Sequence, residues 1–346
     1  AYRKAHPGTK LVLTFFSPSG YEIRKNWPGA DYIFYLPLDT RANARAFLDV
    51  VQPQLAVFVK YEFWYHFLDE AYQRRIPSVV VSAIFRRDQA FFKPWGGFFR
   101  EILTRFTHIF TQNEASSQLL REVGLTQVSV AGDTRFDTVV ATALAPPRTL
   151  PLVEAFVADG APVLVVGSSW PEDLPALQPL LQHYAPKMRV LIAPHEVTET
   201  NLRLVENALP GQVQRYSKAD AATVASARVL LFDNVGLLSQ LYRFGKYAYI
   251  GGAFGKGLHN TLEAAAFGLP IFFGPTYAKF QEAVELVELK VAFPVHNGAE
   301  LETAFAYLWN DDAARLRLQD IVLDYVHDHS GATHTIMAAL RGLVPS

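Results

Sequence analysis

Four glycines fall within seven residues in Gly251-Gly-Ala-Phe-Gly-Lys-Gly257, directly after an apolar run that ends at Ile250. Glycine lets a backbone turn sharply and approach a ligand closely. Lys256 adds a full positive charge to that loop, and His259 and Asn260 follow it. Asn260 with Glu263 three residues on has the spacing of a capping arrangement, which predicts a helix opening near Asn260. The free N–H groups and partial positive charge of a helix start favour an anion. The spacing fits neither the dinucleotide fingerprint nor the P-loop. We read the segment as a phosphate site, the plain alternative being a glycine-rich loop before a capped helix.

Other polar residues follow apolar runs in the same manner. Ser168 and Ser169, in Gly167-Ser-Ser-Trp-Pro-Glu172, suit phosphate or sugar hydroxyls at a strand end, although capping explains them equally well. His195 stands in Pro194-His-Glu196 without the second histidine of a zincin motif. Asp233 reads most simply as an N-cap. In the first half, Ser17, Ser19 and Gly20 form a turn fit for an anionic or hydroxylated group, or simply a turn. Glu62 lies among aromatics at a strand end, where a carboxylate with a raised pKa can move a proton, or where a structural pair can sit. The stretch from Arg86 to Arg100 interleaves four basic residues and five aromatics with one acid, a composition suited to a membrane surface or anionic lipid. His327, His329 and His334 read as a polar helix end, not a metal site.

These residues need elements to hold them. Apolar β-rich runs at 10–16, 32–35, 55–59, 78–82, 108–111 and 128–131 alternate with helical patterns such as 40–51 and 114–123. A proline-marked linker follows at Ala145-Pro-Pro147. Continuous runs at 163–166, 189–193, 228–232, 247–250, 270–273 and 291–294 then alternate with further helices, and helices close the chain over 300–342. Near-continuous apolar strands separated by helices mean parallel sheets covered on both faces. The expected fold is therefore α/β, with two Rossmann-like doubly wound domains, 1–147 and 148–346, facing across a cleft. The helix-like Ala1–Pro7 ahead of the first strand suggests that at least one strand–turn–helix unit is missing upstream, the alternative being a short N-terminal extension.

Composition sets bounds. The 346 residues are 50% hydrophobic and 19% charged, so large cores form. A net charge of −1 argues against a nucleic-acid partner, and the absence of cysteine excludes disulfides and thiolate chemistry. The charge is unevenly spread. Residues 1–150 carry 18 Lys and Arg against 13 Asp and Glu, and the rest carry 14 against 20.

Together these residues resemble the 3-deoxy-D-manno-octulosonic acid (Kdo) transferases, glycosyltransferases of GT-B architecture. The resemblance runs in order through Thr14–Tyr21, Tyr35–Asp39, Glu62-Phe-Trp64, Gly132-Asp-Thr-Arg-Phe-Asp137, Gly167–Ser169, Asp233–Gly236 and the segment 251–263. It implies a cytidine monophosphate (CMP)-linked Kdo donor on the second domain and a lipid A precursor, lipid IVA, on the first. It also implies an inverting transfer without metal or cofactor, at a membrane surface on the cytoplasmic face of the bacterial inner membrane. On that reading Glu263 holds the ribose hydroxyls. Gly251, Gly252, Lys256, His259 and Asn260 surround the phosphate, with Ser168, Ser169 and His195 nearby. Glu62 supports catalysis, and Ser17, Ser19, Gly20 and Arg86 serve the acceptor or transferred sugar. The family's base, a glutamate in a Ser-x-Gly-Glu-like segment, and its hydrophobic anchor are not in this sequence. Pro194 and Leu237 stand where the family usually carries arginine and glutamate. A sugar-nucleotide epimerase of the same architecture, or a non-catalytic nucleotide-sugar binding fragment, are the rival readings.

Overall fold

A computed structural model describes residues 1–343. The chain forms two compact units, Ala1–Asp137 with the stretch from His329 onward, and Thr138–Asp328. Compactness thus divides the chain differently from the proline signal at 145–147. The helix Thr134–Leu144 carries the chain into the second unit, where the Arg243 guanidinium donates to the carbonyls of Thr142, Ala143 and Ala145. The final helix, Ala332–Leu343, likewise belongs to the first unit and not to the second. Its Ile336 and Leu340 pack on Val79, Val81 and Phe110, and the Asp137 carboxylate accepts from the N–H of Gly331 and of Thr333, both at 2.6 Å.

The first unit holds β1 (Val12–Phe15), β2 (Tyr32–Tyr35), β3 (Ala56–Val59), β4 (Ser78–Ala83), β5 (His108–Thr111) and β6 (Val128–Val130). All pair in parallel, but in two pieces: β1 with β2, and β3-β4-β5-β6 in that order. Side chains link the pieces where backbone ladders do not. Asp39 Oδ1 accepts from the N–H groups of His66 and Phe67 at 3.0 and 3.3 Å, which completes the start of the helix Tyr65–Gln73. Phe16 meets Trp64 with ring centroids 4.7 Å apart.

The second unit holds β7 (Val163–Ser169), β8 (Arg189–Pro194), β9 (Val213–Arg215), β10 (Val229–Leu231), β11 (Tyr247–Ile250), β12 (Ile271–Phe273) and β13 (Ala292–Pro294). They form one parallel sheet in the order β13-β12-β11-β7-β8-β10-β9. Among the described residues, twelve of the thirteen strands overlap the apolar runs of the sequence, and β9 is the addition. The chain leaves β7 toward β8 and later returns to β11 on the other side of β7. The carboxyl ends of β7 and β11 therefore flank the topological switch point, where open α/β sheets bind ligands. Fully buried Leu164, Val166, Tyr249, Phe272 and Phe305 belong to the core around these strands.

Candidate functional site

Ile250 is in register with Gly167, so the turns leaving β11 and β7 start side by side. Their fit depends on missing side chains. A Cβ at Gly251 would lie 2.4 Å from the Ser168 carbonyl oxygen, and Gly252 has φ +95°. Ser168 itself takes φ +52° where the β7–β8 register shifts. The Ser169 carbonyl then accepts from His195 N–H at 3.0 Å, which draws the turn after β8 to the same place.

A buried carboxylate fixes this junction. Asp173 Oδ2 accepts from Trp170 N–H at 2.8 Å and Gly252 N–H at 3.0 Å, and Oδ1 accepts from the Tyr249 hydroxyl at 2.9 Å. Burial raises the pKa of Asp173 and outweighs the opposite pull of these three donors.

Above the carboxylate the side chains converge. Trp170 Nε1–H donates to His259 Nε2 at 2.7 Å. The His195 ring stacks on Trp170 at 4.7 Å and on His259 at 4.2 Å. The Lys256 ammonium lies 4.2 Å from the centroid of the Trp170 ring, a cation–π arrangement. An indole N–H can only donate, so His259 Nε2 is the acceptor and its proton resides on Nδ1. Burial, and then the neighbouring His195, push the His259 pKa down to about 4. His195 is lowered as well, chiefly by burial. At neutral pH the site therefore offers one full cation, Lys256, beside neutral imidazoles.

Next to this group, Asn260 Nδ2 donates to Glu263 Oε1 at 3.3 Å, and Asn260 Oδ1 accepts from Leu262 N–H at 3.2 Å. A helix does open here, two residues after Asn260, but it spans only Leu262–Ala265. With a single turn behind it, its dipole is a minor source of anion binding, and Lys256 carries more weight. Burial raises the Glu263 pKa against the opposing hydrogen bond from Asn260.

The structure thus brings together Ser168, Ser169, His195, Gly251, Gly252, Lys256 and His259, with Asn260 and Glu263 beside them. Trp170, Asp173 and Tyr249 are the members that motif reading passes over. Asp233 is not an N-cap; its carboxylate accepts from the N–H and hydroxyl of Ser217.

In the first unit, Ser17 precedes the helix Pro18–Arg24, in which Gly20 lies; the side chain of Ser19 lies outside the described residues. Phe16 joins this turn to Trp64, whose indole N–H donates to the exposed Glu62 carboxylate. Arg86 is exposed on the loop after β4, 3.8 Å from Asp88. A second polar cluster gathers at the carboxyl edge of β3–β6. Buried Asp133 accepts from Gln112 at 3.0 Å and Arg135 at 2.8 Å, with Lys60 at 3.7 Å.

Comparison with known proteins agrees with this layout. Residues 1–138 match the Glycos_transf_N family, described as 3-deoxy-D-manno-octulosonic-acid transferase (kdotransferase). The chain is 27% identical over 321 residues to the 3-deoxy-D-manno-octulosonic acid transferase of Rickettsia felis, covering 88% of this chain and 66% of that protein. It is 24% identical over 349 residues to the enzyme of that name from Haemophilus influenzae, covering 97% and 81%. Its fold is shared with UDP-GlcNAc 2-epimerase from Neisseria meningitidis, at 14% identity and a TM-score of 0.67 over 98% of this chain and 93% of that one. Motifs, parallel α/β units and relatives point the same way: residues 1–138 match the 3-deoxy-D-manno-octulosonic-acid transferase model, and most of the chain is similar to transferases of that name.

Proposed function

We propose that the protein transfers Kdo from CMP-Kdo to a glucosamine hydroxyl of a lipid A precursor, lipid IVA, with inversion and without a metal or other cofactor. The observation that carries this reading is the cluster at the switch point of the second unit, where one lysine and neutral donors surround glycine backbone. A CMP ester has a single phosphate carrying one negative charge, which one ammonium can balance. As the bond from the sugar to the phosphate breaks, that charge grows on the departing CMP, and Lys256 is assigned to meet it. Glu263 is assigned to the ribose hydroxyls. The acceptor hydroxyl must lose its proton to a positioned base; Glu62, held by Trp64, supports that chemistry.

The first unit is assigned the acceptor and the membrane surface. Its helix Gly97–Thr104 and the turn before it expose Trp95 (68%) and Phe98 (53%), an apolar patch suited to the cytoplasmic face of the inner membrane. No helix among the described residues is long and apolar enough to cross a membrane.

The test is calorimetric titration of CMP into the wild type, Lys256→Ala and Glu263→Ala. Tenfold or greater weakening is expected in each variant, and unchanged affinity in both removes the donor assignment. The fold shared with UDP-GlcNAc 2-epimerase gives the second reading, a sugar-nucleotide epimerase. That reading requires tight binding of a uridine diphosphate sugar, so the same titration with UDP-GlcNAc separates the two.

A further inference from the structure

One side chain touches both histidine rings and the lysine of the switch-point cluster, and it is neither a carboxylate nor a histidine. We propose that Trp170 is the positioning residue of this site: it sets His259 as a neutral Nδ1–H donor and holds the Lys256 ammonium beside it, ready for a singly charged phosphodiester.

Three contacts carry the inference. The Trp170 and His259 rings lie 6° from coplanar with centroids 6.2 Å apart, the geometry of an in-plane hydrogen bond from Nε1–H to Nε2. That bond fixes the tautomer, because a nitrogen that accepts from indole cannot keep a proton of its own. Lys256 extends from a loop with glycine on both sides, and its ammonium rests over the indole face. The backbone of Trp170 is secured through Asp173, which also anchors Gly252. One residue is therefore fixed at its main chain and orders two side chains from the opposite strand's loop. The arrangement of one ammonium and neutral N–H donors suits one phosphate group better than a diphosphate.

This inference rests on the donor-site reading for its ligand but not for its tautomer, and the experiment separates the two. Trp170→Phe keeps an aromatic ring and removes the N–H; Trp170→Leu removes the ring as well. Nitrogen-15 NMR of the histidines reads the tautomer directly. The wild type is expected to show His259 protonated on Nδ1, and Trp170→Phe to show a shift toward the Nε2–H form. A wild-type His259 protonated on Nε2, or a spectrum that Trp170→Phe leaves unchanged, overturns the role of Trp170. Titration with CMP and with cytidine reads the ligand. Trp170→Phe should weaken CMP by about 3- to 10-fold, the worth of one hydrogen bond, and leave cytidine unchanged; Trp170→Leu should cost more. Equal losses for CMP and cytidine would mark a structural tryptophan. A wild type that ignores CMP yet shows the expected tautomer shift defeats the donor reading alone.

Discussion

The Asp173 carboxylate binds the Gly252 N–H at 3.0 Å and so joins two turns 79 residues apart in sequence. Because the same oxygen also holds Trp170 N–H, the loop after β11 and the turn after β7 form one rigid ledge. Asp173→Ala strands three donors in a buried place. A loss of about 3–5 kcal/mol in unfolding free energy is expected, against about 1–2 kcal/mol for Asp173→Asn, which keeps one acceptor. Urea denaturation of both variants measures it, and equal losses would show that the hydrogen bonds are not what holds the ledge.

The glycines of this loop are not equivalent. At Gly251 a methyl group would meet the Ser168 carbonyl at 2.4 Å, a backbone atom with nowhere to go. At Gly255 its nearest neighbour would be the Glu172 carboxyl carbon at 3.5 Å, the movable end of a flexible side chain. Gly251→Ala should destabilise by about 2 kcal/mol or more, while Gly255→Ala stays within ~0.5 kcal/mol. Thermal unfolding of the pair decides, and similar melting temperatures would contradict the close approach.

Much of this arrangement was legible in sequence, for reasons that also explain the rest. The strands of the second unit are continuous apolar runs because both sheet faces are covered. β9 escaped notice because Val213-Gln-Arg215 is a short edge strand with no buried residue. Ala145-Pro-Pro147 lies between the helices Thr134–Leu144 and Pro151–Phe156, whereas compactness divides the chain after Asp137. An amphipathic last helix reveals that one face is buried and not which sheet buries it. In the site, glycine and lysine stand out by type and spacing. Trp170 and Asp173 do not, since their role comes from strand register, which sets Gly167 beside Ile250.

His259 gives stability a pH dependence of known sign. Its folded pKa is about 4, below the ~6.5 of an unfolded histidine. Between those values the unfolded chain takes up a proton that the folded site refuses. Stability from this group is therefore complete above about pH 6.5 and declines as pH falls toward 4, by roughly 3 kcal/mol in all. His259→Gln should flatten the stability profile between pH 7 and 4 relative to the wild type. Parallel profiles from chemical denaturation would show that His259 does not titrate as the buried contact with Trp170 requires.

The last helix should be indispensable to the first unit. Ile336 and Leu340 cover Val79, Val81 and Phe110, and the Asp137 carboxylate ties down the turn that precedes them. Each truncation to alanine should cost about 2–4 kcal/mol, with added exposure of amides in β4 and β5 to hydrogen exchange. Faster exchange confined to the second unit would contradict the assignment of this helix.

Membrane attraction by the first unit should be apolar in character more than electrostatic. Of the aromatics between Arg86 and Arg100, Phe91 is buried, and Arg100 is engaged by the carbonyls of Phe91 and Lys93. Arg87 is already neutralised by Glu122 at 2.8 Å. The exposed aromatics of this stretch are Trp95, Phe98 and Phe99, whose insertion beneath lipid headgroups would remove apolar surface from water. Trp95→Ser combined with Phe98→Ser should weaken binding to phosphatidylglycerol-containing vesicles by about tenfold or more, while Arg87→Gln has little effect. Cosedimentation at low and high salt distinguishes the two forces. Binding abolished by salt and indifferent to the serine pair would place the attraction in charge, and the exposed aromatics would then need another partner.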